Sequence, residues 1–302
     1  MFIINKISAM ICLTTITMVF SIVCTSIVTN LFTQGSQSSM LKKLLTTALL
    51  CLNLFIANSQ TRTVQSIPTP DGYERQTTSA FGSFLRGFPL KPEGSTVHLY
   101  DGTEKYWQDG AYAILNIDTG TTDLQQCADA VIRLYAEYQY KNKNYTKIHF
   151  NFTNGFRADY IKWAEGYRIK VVGNNVSWIK TCDADYSYNT FRKYLNVVFM
   201  YAGTASLSRE LVSVPLTDVQ VGDVFIYGGF PGHAMLVVDV AKNKNGSKAI
   251  LVAQSYMPAQ DIHIVTNLSN PEINPWYIID STTEDIYFPE WSFQKNELKR
   301  FK

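Results

Sequence analysis

Charge is scarce in this sequence and nearly cancels. Asp, Glu, Lys and Arg together make 17% of its 302 residues, and the formal net charge is +2. With neither sign in excess there is no electrostatic footprint for nucleic acid and no basic patch for anionic lipid. Histidine is scarcer still, with four in the chain, at positions 98, 149, 233 and 263. These are scattered, and no HxxxH or CxxC spacing accompanies them, so a metal site of the usual kind is missing. No glycine-rich phosphate loop and no GxSxG elbow is present, which removes the common nucleotide-binding and serine-hydrolase signatures. No internal repeat argues for a solenoid. We expect no metal and no cofactor.

What is abundant comes first in the chain. Residues 7–32 carry no charge and are long enough to span a bilayer. A second apolar stretch starts at Met40: Lys42 and Lys43 form a basic start, Leu44 to Ile56 an apolar core, and Ala57-Asn58-Ser59 a small-residue cleavage site. Residues 40–59 therefore read as a signal peptide beginning at its own methionine. Residues 1–39 are then either a misassigned upstream start or a membrane anchor. The expected product is a periplasmic or secreted protein, residues 60–302, as a single domain with no membrane contact after cleavage. Removal of Lys6, Lys42 and Lys43 moves the net charge from +2 to −1. Of five cysteines, Cys127 and Cys182 remain. In an oxidising compartment these two could form one disulfide.

Periodicity and turn residues predict an α+β chain. Residues 60–78 read as a polar arm and 79–88 as a short helix, followed by two strands within 96–118. Residues 121–144 predict a helix in which Leu124, Cys127, Ala128, Val131, Tyr135 and Tyr138 share one face, with Thr122 as its cap and Cys127 about a turn inside. A strand over 147–153, a helix over 154–166, a strand over 167–173, a long helix over 186–204 and a short helical turn over 206–212 come next. Residues 248–257 predict a strand pairing antiparallel with the one that starts at His233, and 260–267 and 276–280 predict two more. The charged tail, 290–302, is expected to pack loosely. His98 reads as structural, while His149 and His263 alternate with apolar neighbours and are expected to face solvent.

One stretch carries chemistry. In GDVFIYGGFPGHAMLVVDV, residues 222–240, two strand-like runs flank a cluster of turn residues. His233 opens the second strand, beside Gly232, where a base is held by the sheet yet faces an opening. Cys127 lies on its helix about a hundred residues earlier, and the polar Gln254 lies on the following strand. A cysteine nucleophile needs this set: a thiol, an imidazole to take its proton and a polar group to orient the imidazole. Asp239 shares strand parity with His233, but six residues of strand place it about 20 Å away.

QQCADAVIRL and the His233 hairpin together resemble the papain-like amidases and peptidases of bacterial envelopes (the NlpC and CHAP types). That resemblance implies an antiparallel sheet packed against a Cys-bearing helix, with a helical insertion between Cys and His. It implies Cys127 as nucleophile, His233 as base and Gln254 as orienting group, acting on an envelope peptide or glycan. Those amidases usually carry Asp directly before the Cys, where this chain has Gln126. Separately, FPLKPEGS, HFNFTNGFRADY, GGFPGHAMLVVDVA and AQSYMPAQDIHI strongly resemble a secreted bacterial family, domain of unknown function 4846, which implies no activity. The alternative to a hydrolase is a non-catalytic envelope protein that binds glycan or a partner, with structural cysteines.

Overall fold

The computed structural model describes residues 62–302. The expected signal peptide and the apolar segment before it lie outside the described residues. Among the described residues no helix is long and apolar enough to cross a membrane.

The organising element is a nine-stranded sheet. Its strands are β1 (Tyr73–Arg75), β2 (Ala111–Ile114), β3 (Val212–Ser213), β4 (Val224–Tyr227), β5 (His233–Asn243), β6 (Lys248–Gln254), β7 (His263–Val265), β8 (Tyr277–Ile279) and β9 (Leu298–Arg300). The order across the sheet is β2-β7-β6-β5-β4-β9-β3, with β1 added on β5 and β8 on β6. Every pairing is antiparallel. Strand β5 is the spine. Its first nine residues are all buried, so both of its faces are covered, and this explains the unbroken apolar run MLVV.

Among the described residues five helices accompany the sheet: α1 (Ala80–Arg86), α2 (Cys127–Lys141), α3 (Tyr160–Ala164), α4 (Tyr188–Tyr201) and α5 (Thr204–Glu210). Both α1 and α2 pack against β5. Helix α2 buries Cys127, Ala128, Val131 and Leu134 along the face expected from their spacing. Helices α3, α4 and α5 lie between Cys127 and His233 in the chain, together with the hairpins 149–159 and 167–180. At the far end of β5 the buried carboxylate of Asp239 takes both Arg75 Nε and Arg86 Nε at 2.6 Å. These contacts tie β1 and α1 to the sheet.

Four expectations need correction. Helix α2 starts at Cys127, not after Thr122: the Gln126 N–H donates to Asp129 Oδ2 at 3.1 Å, and this contact closes the first turn. Residues 154–166 divide into a strand, Arg157–Asp159, and the short α3, because Arg157–Asp159 pairs with His149–Asn151. His263 does not face solvent. It is fully buried, because β7 lies inside the sheet between β2 and β6 and has no wet face. The tail does not pack loosely either. Asp285–Tyr287 and Ser292–Gln294 form a hairpin, and β9 inserts between β4 and β3. Phe293 of this tail, and Phe288 just before it, pack on Phe225 of β4.

Candidate active site

The start of β5, the end of β6 and the first turn of α2 meet at one end of the sheet. His233 pairs with Tyr227 across the hairpin, and Gln254 pairs with His263 on the neighbouring ladder. The His233 Nε2 lies 2.8 Å from Gln254 Oε1. The Gln254 Nε2 lies 2.7 Å from Glu290 Oε2 and 3.3 Å from His263 Nε2. Lys105 Nζ holds Glu290 from the other side, at 2.6 and 2.8 Å from its two oxygens.

These contacts fix every proton in the chain of groups. A carboxylate only accepts, so the Gln254 atom facing Glu290 is the amide NH2. The carbonyl Oε1 therefore faces His233, and His233 carries its proton on Nε2. His263 Nδ1 lies 3.0 Å from the Asp261 carbonyl and must donate to it, which leaves His263 Nε2 to accept from the second Gln254 N–H. The outcome at His233 is a lone pair on Nδ1, the form a general base needs.

Cys127 is the first helical residue of α2. Its sulfur lies 3.9 Å from the Gly232 carbonyl, and the N–H groups of Ala128, Ala234 and Cys127 itself favour its anionic form. The thiol thus lies against the backbone on both sides of His233, and no hydrogen bond joins it to the imidazole. Burial, and then Asp129, push the Cys127 thiol up to about 11. Burial pulls His233 down to about 4, with the Lys105 charge adding to the shift and the Gln254 hydrogen bond opposing it. At neutral pH the pair rests as thiol and neutral imidazole. Cys127 is 8% exposed and His233 2%. Tyr256 and Trp291 cover the imidazole, with ring centroids 5.0 and 5.3 Å from it.

The three residues singled out from sequence, Cys127, His233 and Gln254, gather in this region. Both Cys127 and Cys182 are free thiols, so the disulfide alternative is not formed. Asp239 is bound in its arginine clamp at the opposite end of β5. Sequence reasoning missed His263, Glu290, Lys105, Tyr256 and Trp291. A signal for the tail existed: Ile286 with Phe288, and Trp291 with Phe293, alternate with polar residues in the period of a strand. No local signal marks Lys105 or Glu290, which stand 185 residues apart. Two cavities lie elsewhere. One, of about 460 Å³, is lined by Phe81, Tyr135 and Arg300, and the other, of about 590 Å³, by Phe84, Tyr140 and Tyr188. Among the described residues no group of three or more His, Cys, Asp or Glu is placed to hold a metal ion.

An α+β protein with an antiparallel sheet and a thiol, an imidazole and an amide at one sheet end is the class these observations define. The family model described as Domain of unknown function (4846) matches residues 64–300, and the chain belongs to that family. No curated protein and no solved structure matches it.

Proposed function

We propose that this protein is an exported cysteine hydrolase, periplasmic or secreted, with a papain-like core into which the helical segment between Cys127 and His233 is inserted. It cleaves an amide in an envelope peptide or glycopeptide and needs no metal. The observation that carries this reading is the Gln254 contact on His233 Nε2, which leaves the lone pair on Nδ1, with the Cys127 sulfur against the Gly232 carbonyl next in the chain to His233.

Because both groups rest neutral, the proton moves as the sulfur attacks. His233 Nδ1 takes the Cys127 proton, and the sulfur bonds to the carbonyl carbon. The resulting oxyanion collapses, the C–N bond breaks, and the imidazolium returns its proton to the leaving amine. Water then hydrolyses the thioester with His233 again as base, regenerating the thiol. Gln254 accepts from the Nε2–H throughout and keeps the ring oriented. The positive end of α2 and the N–H groups around the sulfur favour the charge that develops there.

The burial of the pair, and the placement of both cavities away from it, favour a second reading. In that reading the protein is a non-catalytic envelope protein that binds a glycan or a partner. The two separate on one experiment. Wild type, Cys127→Ala and His233→Ala are incubated with an envelope glycopeptide digest, and new amines are counted. The hydrolase reading expects release by wild type alone, with both variants still folded by circular dichroism. Release that survives both substitutions, or no release by wild type, leaves the binding reading in place.

A further inference from the structure

His233 and Cys127 are nearly sealed from solvent, so a carbonyl reaches this pair only after part of the wall has moved. Tyr256 and Trp291 form the wall over the imidazole. The two are held in different ways.

Tyr256 stands on a tied segment. The Ser255 hydroxyl lies 3.0 Å from the Gln125 carbonyl and 2.8 Å from the Gln260 carbonyl. The Ala259 N–H donates to Asp123 Oδ1 at 2.7 Å, and the Ala259 carbonyl accepts the Tyr100 N–H at 2.8 Å. Trp291 stands on a freer one. The hairpin over residues 285–294 pairs with itself, and among the described residues no main-chain hydrogen bond joins it to the nine-stranded sheet. Phe288 and Phe293 pin its two arms in the core, on Phe225. Between these anchors lies a half-buried tip, residues 289–291. The polar contacts of the tip converge on Glu290, which takes Lys105 Nζ at 2.6 and 2.8 Å and Gln254 Nε2 at 2.7 Å. The Tyr256 hydroxyl adds a 3.5 Å contact to the Glu290 carbonyl. Lys105 is itself fixed, because its N–H donates to the Val97 carbonyl at 2.9 Å and its carbonyl accepts from Gln108 Nε2 at 2.8 Å.

We propose that residues 289–291 are a lid over His233, that the Lys105–Glu290 ion pair is its latch, and that the base form of His233 is imposed only while the lid is shut. When the tip lifts, Glu290 leaves Gln254. Nothing then holds the amide with its oxygen toward His233 Nε2, so the site opens and loses its oriented base in one movement. Closure returns Glu290 to Gln254 and the lone pair to Nδ1. Chemistry is thereby confined to the shut, dry site. The lid and its latch stand without the hydrolase reading; that the molecule admitted is an envelope amide to be cut rests on it.

Acylation of histidines by diethyl pyrocarbonate at neutral pH, read residue by residue on peptides of the full chain, measures opening. In wild type His233 should react about tenfold or more slower than His98, whose side chain is 42% exposed. Lys105→Met and Glu290→Ala should each speed His233 about tenfold, the scale of one charge-assisted hydrogen bond lost from the shut state. Lys105→Arg should keep the wild-type rate. His149, which lines a cavity elsewhere, should not change in any variant. Trp291→Ala separates roof from latch: His233 should label fast, while nitrogen-15 spectra still show its proton on Nε2 alone. In Glu290→Ala those spectra should show both tautomers. The proposal is overturned by an unchanged His233 rate in Lys105→Met or Glu290→Ala, by a matching rise at His149, or by a single Nε2 proton that survives Glu290→Ala. Circular dichroism monitors folding, and loss of the fold in both latch variants would make the ion pair a structural clamp and also overturn it. The expected labelling in a chain that releases no amine from the glycopeptide digest would keep the lid and remove the hydrolase. Amine release with an unaltered His233 rate would do the reverse.

Discussion

Gln254 Nε2 donates to Glu290 Oε2 at 2.7 Å, and this contact sets the tautomer of His233 on the other side of the amide. Reversing the amide would set its oxygen against a carboxylate and its NH2 against the protonated Nε2 of His233. A residue from the tail thus governs a proton on the first residue of β5 without touching it.

Nitrogen-15 spectra of the imidazole read that proton directly. His233 should show a protonated Nε2 and a bare Nδ1 throughout the neutral range. In Gln254→Leu the buried Nε2–H loses its acceptor, at a cost of about 1–3 kcal/mol in urea unfolding. A proton on Nδ1 in the unmodified protein would refute the orientation argument.

Acid should weaken the fold in a defined window. Burial lowers both His233 and His263 from 6.5 to about 4. Between these values the unfolded chain takes up protons that the folded chain does not, so stability is complete above about pH 6.5 and is lost as the pH falls toward 4. Each histidine contributes at most about 3 kcal/mol to that loss. Urea midpoints measured across this range should fall, and His263→Gln should flatten the slope. A slope unaltered by that substitution would count against the assignment.

The two thiols should differ in the order set by exposure. Cys182 is exposed, and Cys127 is buried with its pKa pushed up to about 11. A small alkylating reagent at pH 7 should modify Cys182 first. The Cys127 rate should keep climbing about tenfold per pH unit past pH 9, because so little of it is thiolate below that. Faster labelling of Cys127 at pH 7 would mean a preformed thiolate–imidazolium pair, and the neutral resting state would be wrong.

Asp239→Ala should cost stability and leave the site chemistry alone. It strips a fully buried carboxylate from two arginines and from the Val240 N–H. Losing one side of such a buried cluster costs about 3–5 kcal/mol. Denaturant unfolding measures it, and a loss below about 1 kcal/mol would show the clamp to be mostly solvated.

The hairpin around His233 was legible because its information is local: a Gly-Asp turn, two apolar runs and a cluster of glycines. The partner strand ending at Gln254 was legible for the same reason. His263 was misread because alternation implies a wet face only when a strand has one, and β7 is interior. The start of α2 was misread because Thr122 and Gln125 satisfy a capping pattern in sequence, while Gln125 Oε1 in fact turns inward to Arg133 Nη1 at 2.8 Å. Lys105 and Glu290 belong to no pattern at all. Nothing in either neighbourhood announces a pair formed across most of the chain.

Glu290, Trp291 and Phe293 come later in the chain than the other groups of the site, and β9 follows them. A ribosome completes His233 some sixty residues before the groups that orient and roof it exist. Until residues 285–300 fold back onto β4, the imidazole lacks both its fixed proton and the Trp291 half of its aromatic cover. A chain ending at Tyr287 would therefore keep the thiol, the imidazole and the amide, and would lack the carboxylate and the indole that orient and cover them.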